Sequence, residues 1–598
     1  MSTRLRWNAL LLILLFSSWA QVGIGQLEDN REVQTLFETA SSCSTESPET
    51  TVGRLFQLSE LAARRGDIDS SLRLLVLIGR LFGPSMELHV HLGDLYCKQR
   101  KYDKALNEFR QALVKVLRAC PSEAGGCRRN TAWSNQTVAI GSRAGLCLME
   151  GRRFRLAAAL FDLAHQQEPE AEGILWYLAM AQEFSSSWRE AAASYRKWLL
   201  LQQEEELEGY QVRRPKGKKV IAFLCVSKTP NEHGGTWSSR SLERGGIGGS
   251  EEAVVLISRE LVERGYHVEV YGYPAREDVG PDKHGVVWLP VSSYFTNDLP
   301  PPHVLVSWRC YAMAAEGGAT TLKYLWLHDR VMPSHLPPSL VDQLDGILVL
   351  SSHHKSQLPA HAQVKAIPTS NGLVPSFWED GPNSHNEFIF ASHPERGLEL
   401  LLEAWPEVVK HVQGATLHVY HDFPKDYGQS GAPPEELKRM RRMRRRVEDM
   451  LASLPGIRRH GMVNQTVLAT AYARAGFWLY PTSMAETSCI SAMKAMANGA
   501  IPITSRFPSS GLIETTGDFD LGPPSYSREQ TYARNRSELN KWTRSVVEAS
   551  MADRKGLLQE QRRRMKGWAR HIYSWTSIAA QWDELFTAGE SARSSAQS

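Results

Sequence analysis

The chain has 598 residues, of which 42% are hydrophobic and 22% charged, and a net charge of +4. That is the composition of a globular rather than a disordered chain, and the length suits two to four domains at about 150 residues each. So small a net charge gives no global argument for nucleic acid as a partner. Residues 1–26 read as a secretory signal: Arg4 and Arg6 precede the apolar run Ala9 to Phe16, and Ser18-Trp19-Ala20 supplies small residues for a cut. The run is short for a bilayer span, an uncleaved anchor being the alternative, and no later segment is apolar and long enough to cross. The expected location is the lumen of the secretory pathway (endoplasmic reticulum or Golgi) or outside the cell. In an oxidising compartment the eight cysteines become interpretable, and Cys120 and Cys127, in CPSEAGGC, are candidates for a small disulfide loop. Sequons start at Asn135, Asn464 and Asn535, the first sharing its loop with that cysteine pair. No cysteine or histidine spacing suits zinc, so no metal site is expected.

From about Val52 to Leu201 the pattern is helical and repeats. One copy carries Gly93, Tyr96, Ala105, Phe109 and Ala112; another carries Gly145, Leu148, Ala157, Phe161, Ala164 and Pro169. Ser59, Ile68 and Leu75 give a weaker first copy, and Ala179, Ala191 and Tyr195 a last one. Positions 59, 93, 145 and 179 are spaced by 34, 52 and 34 residues, so the middle interval holds one repeat plus an 18-residue insertion. Small residues that let paired helices approach, with large ones filling the gap, resemble the tetratricopeptide repeat. The resemblance implies a solenoid over residues 52–202 whose concave face takes a peptide or another protomer. A plain helical bundle, or a spacer, is the alternative.

An acidic run at Glu204 to Glu206 and a basic one from Arg213 to Lys219 form a linker. KKVIAFLCVS then reads as a buried strand, followed by the loop Gly245-Gly246-Ile247-Gly248-Gly249-Ser250, an amphipathic helix from Ala253 to Arg264, and a second strand. This is a βαβ unit. Its loop lacks the GxGxxG spacing and the lysine of a P-loop, which argues against a dinucleotide oxidoreductase. Its glycines do let backbone N–H groups approach oxyanions with no Cβ in the way. His328 stands at the end of a further strand-like run, where a lone histidine is ordinarily a satisfied core residue. Ser370 to Leu373 reads as the turn closing this domain, and Asn383 to Glu387 as a linker.

A second domain opens on the strand Phe388 to Ser392, then His393-Pro394-Glu395-Arg396-Gly397, a helix from Leu398 to His411 and a strand from Thr416 to Tyr420. The helix Glu435 to Leu451 carries Arg439, Arg441, Arg442, Arg444, Arg445 and Arg446, a solvated face on the ordinary reading and a contact for anionic lipid or acceptor on the other. Trp478 to Ser505 then gives a strand, a turn, Glu486 at the entrance of a helix running Ile490 to Asn498, Gly499 and another strand. In an α/β sheet that entrance lies outside the carboxyl end of a strand, where ligands bind and a helix N-terminus favours phosphate.

The string resembles the donor-sugar signature of GT-B glycosyltransferases, especially the retaining family-four enzymes: a Glu, seven residues, a second Glu, then Ala-Met-Ala-x-Gly. Glu486 stands at the first Glu and Ala495 to Gly499 match the end, but Lys494 replaces the second Glu. The resemblance implies that Glu486 and His328 are the catalytic residues at the donor sugar, and that Gly248, Gly249, Arg396, Lys494 and Ser488 bind the donor. An Arg that the family carries near Ser392 or His393 is missing, and Arg396 takes the place of a Lys. Gly461-Met462-Val463 resembles the loop beside the nucleotide base, which would put a glycan on Asn464 near the donor. Tyr573 to Phe586 resembles the last helix, which crosses back to the first domain.

The fold expected is α/β: two Rossmann-like domains (GT-B), over residues 218–382 and 386–587, preceded by an all-α solenoid and followed by a disordered tail at 588–598. The activity implied is transfer of a sugar from a nucleotide sugar to a hydroxyl on a protein or glycan, with retention and without metal or other cofactor. Asp518-Phe519-Asp520, an Asp-x-Asp, falls late in a loop. The rival, motivated by Lys494 and the missing Arg, is a repeat-based binding scaffold with a catalytically degraded transferase. The repeats imply a protein partner or self-association.

Overall fold

The computed structural model describes residues 48–64, 68–119, 131–201, 212–226, 236–244, 247–296, 298–423, 427, 434–524 and 536–597. The chain divides into two compact units, Met1–Ala181 with Gly431–Lys438 and Gln182–Ser430 with Arg439–Ser598. In the first, α1 (Pro48–Arg64) pairs with α2 (Ile68–Phe82), α3 (Met86–Lys98) with α4 (Tyr102–Ala119), and α5 (Thr131–Glu150) with α6 (Phe154–Gln167); α7 (Glu172–Phe184) follows. The small positions explain the pairing. A Cβ on Gly93 would lie 2.8 Å from the Phe109 ring, and one on Gly145 2.7 Å from Phe161, so only glycine admits those rings. In the first hairpin Ser59 takes that place and bonds Ser71 Oγ at 2.8 Å. One packing used in successive hairpins makes this a helical repeat.

Cys97 on α3 and Cys147 on α5 form a disulfide, with Cα atoms 5.7 Å apart and a sequence separation of 50. Cys120 and Cys127, expected to pair, lie outside the described residues, as does Asn535. Asn135 is not in a loop: it is exposed on α5, and the threonine of its sequon, Thr137, is only 7% exposed because the helix turns it inward. Closing a loop of this length removes about 4 kcal/mol of chain entropy from the unfolded state. Cys97→Ser with Cys147→Ser is therefore expected to lower the melting temperature of the helical unit, and reductant to do the same to the natural chain but nothing further to the variant. Calorimetry with and without reductant checks this.

In the second unit α8 (Trp188–Leu201) holds Glu316 through Arg196 at 2.8 Å. The first sheet comprises β1 (Val220–Leu224), β2 (His267–Gly272), β3 (Gly280–Pro281), β4 (Val287–Pro290), β5 (Val304–Trp308), β6 (Leu322–Trp326), β7 (Gly346–Val349) and β8 (Ala366–Pro368). Their order is β3-β4-β2-β1-β5-β6-β7-β8, parallel except for β3. Helix α9 (Gly249–Glu263) links β1 to β2. The second sheet has β9 (Ser384–Ala391), β10 (Thr416–Tyr420), β11 (Ile457–Arg459), β12 (Ala475–Tyr480) and β13 (Ile501–Thr504), all parallel in the order β11-β10-β9-β12-β13. Around it lie α10 (Leu398–His411), α11 (Pro434–Ser453), α12 (Gln465–Arg474), α13 (Ile490–Ala497), α14 (Arg536–Arg554) and α15 (Gln559–Ile572), while α16 (Trp575–Gln597) packs against α9 and β6 of the first sheet's domain. VIAFL of β1 and AGFWLY of β12 are buried throughout, as strands covered on both faces require.

The chain crosses between the sheets twice, at residues 379–383 and at Ser574, which bridges to Leu373. Trp582 of α16 then packs on Trp326 of the first sheet, with ring centres 4.9 Å apart. Two doubly wound parallel sheets joined in this way are the GT-B fold. Helices α14 and α15 are separated by a turn with Gly556 at φ +77°. One expectation needs correction. The expected disordered tail is helical to Gln597, because Arg593 reaches Thr321 O at 2.7 Å and Asp345 at 2.6 Å, and Glu590 holds Lys219 at 2.5 Å. Among the described residues no helix is long and apolar enough to cross a membrane.

The link ahead of β1 is fastened by Arg214, whose Nε and Nη2 each donate to Glu269 at 2.7 Å, with Tyr271 at 2.9 Å and His267 at 3.2 Å from the same carboxylate. Burial opposes ionisation of Glu269, but Arg214, His267 and Tyr271 more than offset it and hold the group at about 2, against an ordinary 4.5. A folded value below the unfolded one stabilises at pH above 4.5. That contribution, about 3 kcal/mol, is lost as pH falls from 4.5 through 2. Glu269→Gln is expected to be less stable at neutral pH, and its deficit should shrink over that interval. Urea titrations across it test the sign.

Candidate functional site

Both sheets have their order reversals beside the central strand, at β1/β5 and β9/β12. Ligands of such sheets sit outside the carboxyl ends of the strands at these points. From β9 the chain turns through His393 to Arg396, and from β12 through Pro481 to Glu486. The two turns touch at Gly397 (φ +114°), where a Cβ would fall 2.5 Å from Pro481 O.

Glu486 is 6% exposed. Its carboxylate accepts from the Tyr480 hydroxyl at 2.5 Å and lies 3.5 Å from Arg396 Nη1, while Ser510 Oγ receives its N–H at 3.2 Å. Burial pushes its carboxyl above the usual range, and Arg396 and Tyr480 only partly pull it back. Arg396 remains half exposed, with further N–H groups for a ligand. Two residues on, Ser488 Oγ is buried without a hydrogen-bond partner. Helix α13 starts after Cys489 with no side-chain cap.

The first sheet supplies His328, which follows β6. It is 7% exposed, and Nε2 has no partner. Burial, then Arg309 and His354, push its pKa well down, so the imidazole is neutral and can exchange a hydrogen bond with a hydroxyl. Thr487 Oγ1 donates to His328 O at 3.1 Å, which brings this histidine beside the Glu486 turn. Gly248 caps α9, and a Cβ on Gly249 would lie 2.9 Å from Ile490 Cδ1, so the starts of α9 and α13 meet. Where the Arg of family-four enzymes was missed stands His393. Burial and His421 lower it to about 4, so it is uncharged at neutral pH.

Lys494 is the correction. Its ammonium donates to Glu252 Oε2 and to Gln465 Oε1, both at 2.9 Å, and lies 5.0 Å from the Phe377 ring centre. Glu252, on α9, is 6% exposed and also accepts from Gln465 Nε2 at 3.1 Å. Lys494, expected to bind the donor, therefore spends its charge on a carboxylate of the first sheet's domain. It ties the second sheet's domain to the first. A further tie missed by the sequence reading is Glu514, whose oxygens accept from Ser352 N at 2.9 Å and His353 N at 3.1 Å. No local signal could reveal either, since the partners are 242 and about 160 residues apart. Tyr480 was also missed, read only as the end of a strand.

Asn464 caps α12, its Oδ1 accepting from Val467 N at 3.0 Å. The arginines of α11 are partly paired: Arg439 lies 3.7 Å from Glu395, Arg444 3.0 Å from Glu448 and Arg446 3.3 Å from Glu399. Among the described residues no group of three His, Cys, Asp or Glu side chains is placed to hold a metal.

The sequence matches no protein-family model and no curated protein. Solved structures of GT-B glycosyltransferases do resemble it. A sucrose-phosphate synthase from Thermosynechococcus elongatus aligns at 13% identity and TM-score 0.41, over 63% of this chain and all (100%) of its own. A glycosyltransferase from Rickettsia africae aligns at 11% and 0.45, over 62% and 99%. A mutant O-GlcNAc transferase from Thermobaculum terrenum aligns at 13% and 0.36, over 92% and 100%. At these identities and TM-scores the likeness assigns the chain neither a family nor an activity.

Proposed function

We propose that the chain is a glycosyltransferase that moves a sugar from a nucleotide-sugar donor to a hydroxyl acceptor on a protein or glycan, with retention of configuration. The observation that carries the reading is a pair of orphaned buried polar atoms, His328 Nε2 and Ser488 Oγ, beside the buried Glu486 carboxylate and its half-exposed partner Arg396. The groups come from both domains, at the carboxyl edges where a ligand belongs. Sugar hydroxyls would satisfy the orphans and Glu486. Arg396, the Gly248–Gly249 backbone and the uncapped start of α13 would stabilise the departing diphosphate. Since these groups supply the positive charge, turnover is expected to persist in chelator. We place the protein in the secretory pathway, a reading supported by the signal pattern and the Cys97–Cys147 disulfide, and read the repeats as tetratricopeptide-type, offering a surface to a protein partner.

The second reading, a scaffold with a degraded transferase, is favoured by one observation: Lys494, at the position of a donor-binding Glu in family-four enzymes, is spent on Glu252. A thermal-shift screen of the full chain against nucleotide sugars, followed by a transfer assay with anomeric NMR of the product, separates the two. Turnover with a retained anomer establishes the enzyme. A shift without turnover favours the scaffold, and no shift with any donor would sink the transferase reading.

A further inference from the structure

On the edge of the second sheet opposite Glu486, residues 381–386 and helices α14 and α15 enclose a groove of about 750 Å³. It lies at the amino end of β9, whereas Glu486 follows the carboxyl end of β12. The wall carries five cations, Arg554, Arg562, Arg563, Lys566 and Arg570, against one carboxylate, Asp553. Part of that charge is used internally. Arg562 grips Asp553 with two bonds of 2.8 Å, and Arg563 pairs with Glu560. Lys566 and Arg570 converge on a single oxygen of Asp380, which is 72% exposed. Counting Asp380 and Glu560 with Asp553 leaves five cations facing three carboxylates, with Arg554 exposed and in no ion pair among the described residues. The rest of the wall is glycine, proline, serine, asparagine, glutamine and a histidine, with no Phe, Tyr or Trp and no aliphatic side chain. Such a wall gives an apolar ligand little to bury.

We propose that this groove is a second binding site, distinct from the donor cleft, for a compact polyanion bearing two or more phosphate or sulfate groups. Concave shape, excess positive charge and walls free of large apolar side chains suit such a ligand. The ligand would compete with Asp380 for Lys566 and Arg570. Asp380 belongs to the chain segment joining the two sheets, so occupancy would act on the connection between the domains.

The test uses the full chain, titrated calorimetrically with pyrophosphate and, separately, with a disulfated disaccharide. The variants are Arg554→Glu with Arg563→Glu, both side chains exposed and remote from the cleft, and Arg396→Ala as a control for the cleft. At least one probe is expected to bind the natural chain and the Arg396→Ala variant alike, and to bind the double variant about tenfold more weakly or worse, since two cations facing the anion are reversed. Which probe binds separates phosphate from sulfate chemistry. No binding of either probe at millimolar concentration overturns the proposal. So does binding that survives in the double variant, and so does binding lost only in Arg396→Ala, which would assign it to the donor cleft. Because the readout is binding, failure here leaves the transferase reading untouched.

Discussion

Glu486→Gln is expected to lower kcat/KM for sugar transfer by about tenfold to a hundredfold while leaving the fold intact. A hydrogen bond to a charged group is worth ~1.5–3 kcal/mol, and glutamine keeps the size of the side chain but not its charge. Stability should not fall. Burial raises the pKa of Glu486, so the folded protein disfavours the ionised form relative to the unfolded chain, and an uncharged isostere removes that penalty. A melting temperature equal to or above that of the natural chain, together with the loss of rate, is the expected signature. Arg396 would lose its carboxylate partner at 3.5 Å, so any gain in affinity for the free nucleotide would show as a lower product-inhibition constant. Unchanged kcat/KM in Glu486→Gln would remove this residue from the mechanism.

Lys494→Met is expected to destabilise the chain by about 3–5 kcal/mol, because it strands the Glu252 carboxylate, 7% exposed, with only Gln465 for company. Lys494→Glu should be worse, since it sets two buried carboxylates side by side, and it should not improve donor binding: the side chain faces Glu252, not a ribose. Removing both charges, in Lys494→Met with Glu252→Leu, should recover most of the loss, as buried pairs replaced by apolar groups of similar size are often neutral. Denaturation of the two single variants and the double variant yields the coupling between the two domains. Additive effects would show that the pair is no tie. Tighter nucleotide binding by Lys494→Glu would mean that the site is a degraded form of the family-four one.

The sequence by itself determined whatever rests on local periodicity and steric need. Apolar runs such as VIAFL and AGFWLY, glycine between strand and helix, and helices of regular spacing specify two doubly wound sheets, since each element must bury its faces and few layer arrangements do so. Gly93 and Gly145 announced the helix pairs, because only a missing Cβ admits the Phe109 and Phe161 rings. The same pattern put Glu486 at a helix entrance and His328 at a strand end, while their reading as site residues came from the resemblance to family-four enzymes. The tertiary structure alone decided how the charges and thiols are used. Lys494 reads locally as a helix residue near a phosphate site, yet it spends its charge on Glu252, 242 residues away. Cys97 finds Cys147 across stacked hairpins rather than within a loop. The tail, polar and serine-rich, is helical because Arg593 and Glu590 have partners on the first sheet's domain. The physical reason is common to all three. Secondary structure and packing against the next element depend on neighbours in the chain, whereas a buried charge or a thiol takes whatever partner the completed fold brings within reach.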